Sequence, residues 1–263
     1  VPLAVTTPLR PSPAEEAAAR DAAARHGLPY ASRGNRGLET VRAAAGADAL
    51  LVLSGSRAVL SAGGAETRWA PGMGFLRAKR ARAGLRGEPL DATTRDPFLE
   101  AAGIAEGDLV LDCTLGLGAD ALVAAVAAGG RGRVVGLEAS PALAAWVAEG
   151  LRRLPDEAAA RVEVRAGDHA EVLASLPDRS FDVVVFDPMF RHARAEPAGF
   201  DLVRRLADPR PLSPAALARA RRVARRWVVV KDGAPGWDLA RLGLTPLPSA
   251  RGAHRYYARV PAG

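Results

Sequence analysis

Two short stretches place polar and glycine residues at the end of an apolar run. The first is Val110-Leu111-Asp112-Cys113-Thr114-Leu115-Gly116-Leu117-Gly118-Ala119-Asp120, and the second is Val183-Val184-Val185-Phe186-Asp187-Pro188-Met189-Phe190. Each reads as a buried strand running into a turn, and in an open α/β sheet that carboxyl edge is where ligands bind. Glycines at 116 and 118 let the backbone approach a ligand that a Cβ would strike. Gly116-x-Gly118-x-x-Ala121 satisfies the dinucleotide fingerprint, and Glu138 follows twenty residues after Gly118, placed to accept from ribose hydroxyls. The carboxylates then discriminate between nucleotides. In an NAD site the first glycine follows the strand almost directly and the helix start receives a pyrophosphate. Here Asp112-Cys113-Thr114 intervenes, and Asp120 lies just inside the helix. These acids repel a dianion but tolerate a ligand carrying an ammonium and a sulfonium, which favours S-adenosylmethionine, with NAD as the alternative. Asp120 equally suits a helix N-terminus on dipole grounds. Glu138 has the alternative of a solvated loop acid. Asp168 follows a third strand, placed either to take an adenine amine or to cap the next helix.

The second turn suits an amine. The lone pair of an exocyclic amine on an aromatic base is delocalised into the ring, and two fixed acceptors for its protons turn that lone pair toward a methyl donor. Asp187 supplies a carboxylate and Pro188 a carbonyl, with the proline ring fixing their relation. Phe190 is placed to stack on a base, worth ~1–3 kcal/mol. Transfer would be an in-line displacement dominated by positioning, with no strong general base required. The competing reading has Asp187 capping a loop while Met189 and Phe190 fill the core.

These turns need a scaffold. From about Asp96 the pattern alternates strand and helix, with strands predicted at 108–113, 133–137, 161–165, 181–186, 226–231 and 253–260. Helices are predicted at 119–128, 141–153, 169–176, 200–207 and 214–225. Short Val/Leu-rich strands between helices imply a parallel sheet covered on both faces, and the last segment suits an antiparallel edge strand. The fold class expected is α/β, a Rossmann-like, mostly parallel sheet of seven strands with a small N-terminal α+β module. The domain line is expected at 1–95 and 96–263. Within the module, residues 1–12 read as extended, Pro13 to His26 as a helix ended by Gly27, and Ala49–Leu53 with Ala58–Leu60 as a hairpin.

Composition excludes several classes. The 263 residues contain no run approaching the ~20 apolar residues of a membrane helix, and no basic segment leading into an apolar stretch opens the sequence, so neither span nor signal peptide is expected. One cysteine, Cys113, excludes an internal disulfide and a multi-cysteine zinc site, and the four histidines are scattered; no metal is expected, and a reducing cytoplasm is the expected setting. A net charge of +7 invites a nucleic-acid reading. Nearly all that charge is arginine beside abundant alanine, a pairing that a GC-rich genome yields unaided. Local clusters say more. Arg77, Lys79, Arg80, Arg82 and Arg86 form a basic connector expected to contact RNA phosphates. A second cluster, Arg219, Arg221, Arg222, Arg225 and Arg226, suits either phosphate contact or a solvated helix face.

The Asp112–Asp120 turn, Asp187-Pro188-Met189-Phe190 and Val228-Val229-Val230-Lys231 together resemble the small-subunit (16S) ribosomal RNA guanine-N2 methyltransferase family of class I S-adenosylmethionine-dependent enzymes. The resemblance runs from about Asp96 to Asp232. The N-terminal Val5-Thr6-Thr7, Leu28-Pro29-Tyr30 and Arg33 are closer to a Gram-positive branch of that family. It implies S-adenosylmethionine as cofactor, with contacts at Ala119, Asp120, Glu138, Ala139, Asp168, His169 and Asp187, and an rRNA guanine amine as substrate. The family continues the second turn with proline and histidine where this chain has Arg191-His192, and has arginine where this chain has Ala119. The cofactor expectation survives these departures; the particular guanine does not follow. Rivals are a methyltransferase of protein or small-molecule amines, a non-catalytic RNA-binding protein and, more distantly, an NAD-dependent oxidoreductase.

Overall fold

The computed structural model describes residues 1–89, 95–188, 200–248 and 254–263. The chain begins with strand β1 (Leu3–Thr6), helices α1 (Pro13–Arg25) and α2 (Leu38–Ala44), and strands β2 (Ala49–Ser54), β3 (Arg57–Ala62) and β4 (Ala65–Arg68). Next come α3 (Gly74–Leu85), α4 (Pro97–Ala102), β5 (Leu109–Asp112), α5 (Ala119–Ala127), β6 (Arg133–Glu138) and α6 (Pro141–Arg152). The remainder is β7 (Val162–Ala166), α7 (His169–Ser175), β8 (Phe181–Phe186), α8 (Phe200–Leu206), α9 (Pro214–Val223), β9 (Ala224–Gly233), α10 (Trp237–Arg241) and β10 (Arg255–Pro261).

Two compact units result. The smaller comprises Val1–Ala70, Ser140–Pro155 and residues 200–207; the larger begins at Pro71 and holds the rest. The division therefore falls at Ala70 and again around α6 and α8, rather than at residue 95. In the smaller unit the sheet order is β1-β2-β3-β4, with β1 parallel to β2 and the others antiparallel. Residues 1–12 thus include a paired strand, whose apolar signal is confined to four residues between prolines. Helix α1 starts with a capping box, Ser12 and Glu15 satisfying each other's amides. Helix α6 belongs here: Trp146 Nε1 donates to Ala58 O at 3.1 Å, and buried Glu149 accepts from Arg25, His26 and Arg153.

The larger unit carries a sheet ordered β10-β9-β8-β5-β6-β7, parallel except for the β9–β10 edge pair. Six strands are thus present among the described residues, against the seven expected. Its core packs Leu111, Val135, Leu137, Val184, Phe186, Val228 and Val230 with Leu173, Leu217 and Leu239 of the helices. Strand order reverses at β5: the chain steps outward through β6 and β7, then returns to add β8 on the other side. The carboxyl ends of β5 and β8 therefore lie side by side at a topological switch point, where open α/β sheets bind ligands. The Asp112–Asp120 turn and Asp187-Pro188 both emerge there.

Candidate active site

The turn after β5 is held from three directions. The Asp112 carboxylate accepts from the Thr114 amide at 3.0 Å, the Cys113 amide donates to Val185 O at 2.9 Å, and the Leu115 amide donates to Leu137 O at 2.9 Å. Thr114 Oγ1 accepts from the Asp187 amide at 2.6 Å, which ties the two turns directly together. Gly116 and Gly118 adopt φ of 51° and 77°, left-handed values that favour glycine. Glu138, buried at the end of β6, accepts from the Gly116 amide at 3.3 Å. Ala119, partly exposed, opens α5 directly after Gly118, and Ala139 is partly exposed directly after Glu138.

A chain of buried charges runs beneath the turns. Asp120 accepts from Lys231 Nζ at 3.0 Å through one oxygen and from Arg77 through the other. Lys231 also donates to Asp187. Arg77 reaches on to Asp96 at 2.7 and 3.1 Å, and Asp96 caps α4 through the Phe98 and Leu99 amides. Tyr257 pairs across the strands with Lys231, its ring buried.

The two carboxylates sharing Lys231 are driven in opposite directions. Burial disfavours ionisation of both. At Asp120 the combined pull of Lys231 and Arg77 outweighs it and holds the carboxyl below the usual range. Asp187 has Lys231 but also faces Asp120, so burial prevails and its carboxyl is raised. Lys231 is itself raised despite burial, because Asp187 and Asp120 flank it. Burial pushes the Asp112 carboxyl up to about 8 against the Thr114 amide, with Asp120 and Asp187 reinforcing the shift.

Other expected residues take different places. Asp168 caps α7, accepting from the Ala170 amide at 2.8 Å, and its second oxygen accepts from Arg210 at 2.7 Å. Of the two readings offered by the sequence, capping is the one seen. His169 meets Phe186 edge-on, centroids 5.5 Å apart, and burial lowers its pKa. Pro188 follows Asp187, partly exposed at the tip of β8. Phe190 lies outside the described residues, as do Met189, Arg191 and His192.

The basic connector divides in the structure, with Lys79 exposed and Arg80 partly exposed while its other members pair with carboxylates. It is the helix α3, and the Arg77 guanidinium is committed to Asp96 and Asp120. Arg82 pairs with Asp156 and Arg86 with Glu88, while Lys79 is exposed. The second cluster is also internally engaged. Arg219 donates to Ala170 O, Arg221 to Pro261 O, Arg222 to Leu173 O and Leu176 O, Arg225 to Arg179 O, and Arg226 to Asp108. These guanidiniums staple neighbouring segments of the larger unit, because one planar fork can satisfy several carbonyls.

Sequence reasoning gave Lys231 and Tyr257 no role at the site. One signal was available: Lys79 and Lys231 are the lysines of an otherwise arginine-based chain. A lysine retained at the tip of a buried strand marks a place for a compact point charge rather than a planar fork. Among the described residues, no group of three or more His, Cys, Asp or Glu is arranged to hold a metal ion, and no helix is long and apolar enough to cross a membrane.

The donor set fits a cationic nucleoside. Asp112 and Glu138 offer oxygens at the glycine turn that suit an amine and a ribose diol, whereas the charge repulsion expected of these acids is muted, since Asp112 is pushed up to about 8 and Asp120 is already paired with Lys231 and Arg77. Comparison with known proteins agrees. The family described as "Putative SAM-dependent methyltransferase" matches residues 80–241. The Bacillus subtilis "Uncharacterized protein YpiP" is 36% identical over 234 residues, covering 87% of this chain and 88% of that protein. Ribosomal RNA small subunit methyltransferase J of Alteromonas mediterranea is 34% identical over 145 residues, covering 52% of this chain and 55% of that protein. In structure, a SAM-dependent methyltransferase from Neisseria gonorrhoeae superposes with a TM-score of 0.63 at 20% identity, covering 98% of this chain and 96% of that one, a likeness of fold. The chain thus belongs to the S-adenosylmethionine-dependent methyltransferase family, and its methyl donor is S-adenosylmethionine.

Proposed function

We propose that this enzyme methylates an exocyclic amine of RNA, the N2 amine of a guanine in small-subunit ribosomal RNA. The observation that carries the reading is the Asp187–Lys231 pair at the tip of β8, tied through Thr114 to the cofactor turn. Support for the substrate class comes from the relatives named ribosomal RNA small subunit methyltransferase J, of which the chain spans about half the length.

S-adenosylmethionine supplies an electrophilic methyl group on a cationic sulfur. Glu138 would take its ribose hydroxyls, and Asp112, the 116–118 backbone, Ala119, Ala139, Asp168 and His169 would hold the rest of it. Asp187 and the Pro188 carbonyl accept the two amine protons, turning the nitrogen lone pair out of conjugation, and Phe190 stacks on the base. Lys231 orients Asp187, while Asp120 and Arg77 fix Lys231; these three act through Asp187 as positioning residues. Asp187 would also accept the proton that the methylated amine gives up.

The test is transfer of labelled methyl from S-adenosylmethionine, with products separated into RNA, protein and small-molecule fractions. Label should enter RNA, Asp187→Ala should abolish it, and Asp187→Asn should retain part of it, since an amide oxygen still accepts one hydrogen bond. Label confined to protein or small molecules would refute the RNA assignment. Normal turnover by Asp187→Ala would refute the alignment mechanism.

A further inference from the structure

Helix α3 inverts the usual arrangement of a surface helix. Its buried face is made of the small residues Gly74, Ala78 and Ala81. Its outward side carries Phe75 at 45% exposure, Leu76 at 40% and the exposed Lys79, with Met73 at 60% just before the helix. Large apolar side chains normally face the core, so a cluster of them on the outside calls for a partner. The position of the helix narrows the choice. A Cβ on Gly74 would come within 3.0 Å of the Ala119 Cα, so the first turn of α3 lies against the start of α5 at the cofactor turn. One turn on, Arg77 reaches Asp120. The exposed aromatic is therefore displayed next to the reactive edge of the sheet.

We infer that the outward face of α3 is the RNA platform of this enzyme, with Phe75 stacking on an unpaired base and Lys79 meeting an adjoining phosphate. This rests on the RNA reading proposed above and adds the surface that reads the strand flanking the target nucleotide. An aromatic with a neighbouring cation suits single-stranded RNA, because stacking is tolerant of sequence and the charge follows the backbone. An acidic or purely apolar protein partner would leave one half of the patch unmatched. Arg77, Arg82 and Arg86 pair with carboxylates, so Lys79, exposed one turn after Phe75, is the cation placed beside the aromatic for a phosphate.

The test uses the full chain and a fluorescently labelled single-stranded transcript of the 3′ region of small-subunit rRNA, titrated by anisotropy across a salt series. Phe75→Ala should weaken binding by about 5- to 150-fold, and Phe75→Trp should restore it. Lys79→Ala should make the log–log salt slope shallower by about 0.7, the share of one phosphate on a single strand. All three variants should bind S-adenosylmethionine like the parent by calorimetry, showing an intact fold and cofactor site. If the parent binds the transcript and the variants match it in affinity and slope, the platform is refuted while the RNA reading stands. If the parent does not bind the transcript or any rRNA, both are refuted. If Phe75→Ala instead converts a dimer to a monomer with RNA affinity unchanged, the face is a self-association surface and the inference is overturned.

Discussion

Lys231, its side chain 12% exposed, sits between buried Asp120 and partly buried Asp187. Removing it by Lys231→Met leaves Asp187 without its cation, and breaking a buried pair in this way costs about 3–5 kcal/mol. Urea unfolding should show that loss, and methyl transfer should fall with it. Lys231→Arg keeps the charge but not the compact shape, so it should restore stability better than activity. A second prediction concerns Asp112. In the native chain it keeps its proton up to about pH 8, whereas the unfolded chain releases it near pH ~4. The native state thus binds the extra proton between these values. The stabilisation from Asp112 is complete below the unfolded value and is lost as pH rises through about 8. Melting temperature should therefore fall between pH 5 and 8 more steeply in the parent than in Asp112→Asn, and equal slopes would remove Asp112 as the source. At this scale the strand-end acids were legible from sequence, because carboxylates beside glycines after an apolar run have few other uses. The bonds from Lys231 to Asp120 and Asp187 were not, since they join residues far apart in the chain and no local pattern records them.

Among the elements, the strands and helices of the larger unit could be read because their apolar runs are short and their starts are marked. Ser213 caps α9 and is followed by Pro214 at the first helical position. Helix α3 could not be read as a helix of the larger unit. Its core face is glycine and alanine, and its apolar bulk points outward, so the expected periodicity is inverted. That close packing yields the next prediction. Gly74→Val would drive a side chain into the Ala119 backbone and Pro71, and backbone cannot move aside as a flexible side chain can. A stability loss of about 1–3 kcal/mol is expected, together with weaker S-adenosylmethionine binding by calorimetry, because the displaced atoms begin α5. Unchanged cofactor affinity in a folded Gly74→Val protein would separate α3 from the cofactor turn.

At the scale of the whole molecule, the chain returns to its smaller unit after starting the larger one. Helix α6 brings Trp146, 1% exposed, and Glu149, fully buried, to groups supplied by residues before 70. A fragment of residues 96–263, the domain suggested by sequence, would strand that tryptophan and that carboxylate without their partners. Such a fragment should aggregate or lose cooperative unfolding in urea, while the full chain unfolds cooperatively. A soluble, cooperatively folding fragment would show that α6 does not need the N-terminal strands. The net charge of +7 is likewise explained at this scale. Much of the arginine is bonded internally, so the overall charge overstates the surface open to phosphate. The most direct measurement of what the enzyme does is mass spectrometry of nucleosides from small-subunit rRNA of cells lacking the protein, incubated with S-adenosylmethionine and either the parent or Asp187→Ala. N2-methylguanosine formed by the parent and absent with Asp187→Ala is the expected result. Methylation on ribose or a ring carbon, or no new methylated nucleoside, would contradict amine methylation of RNA by this site.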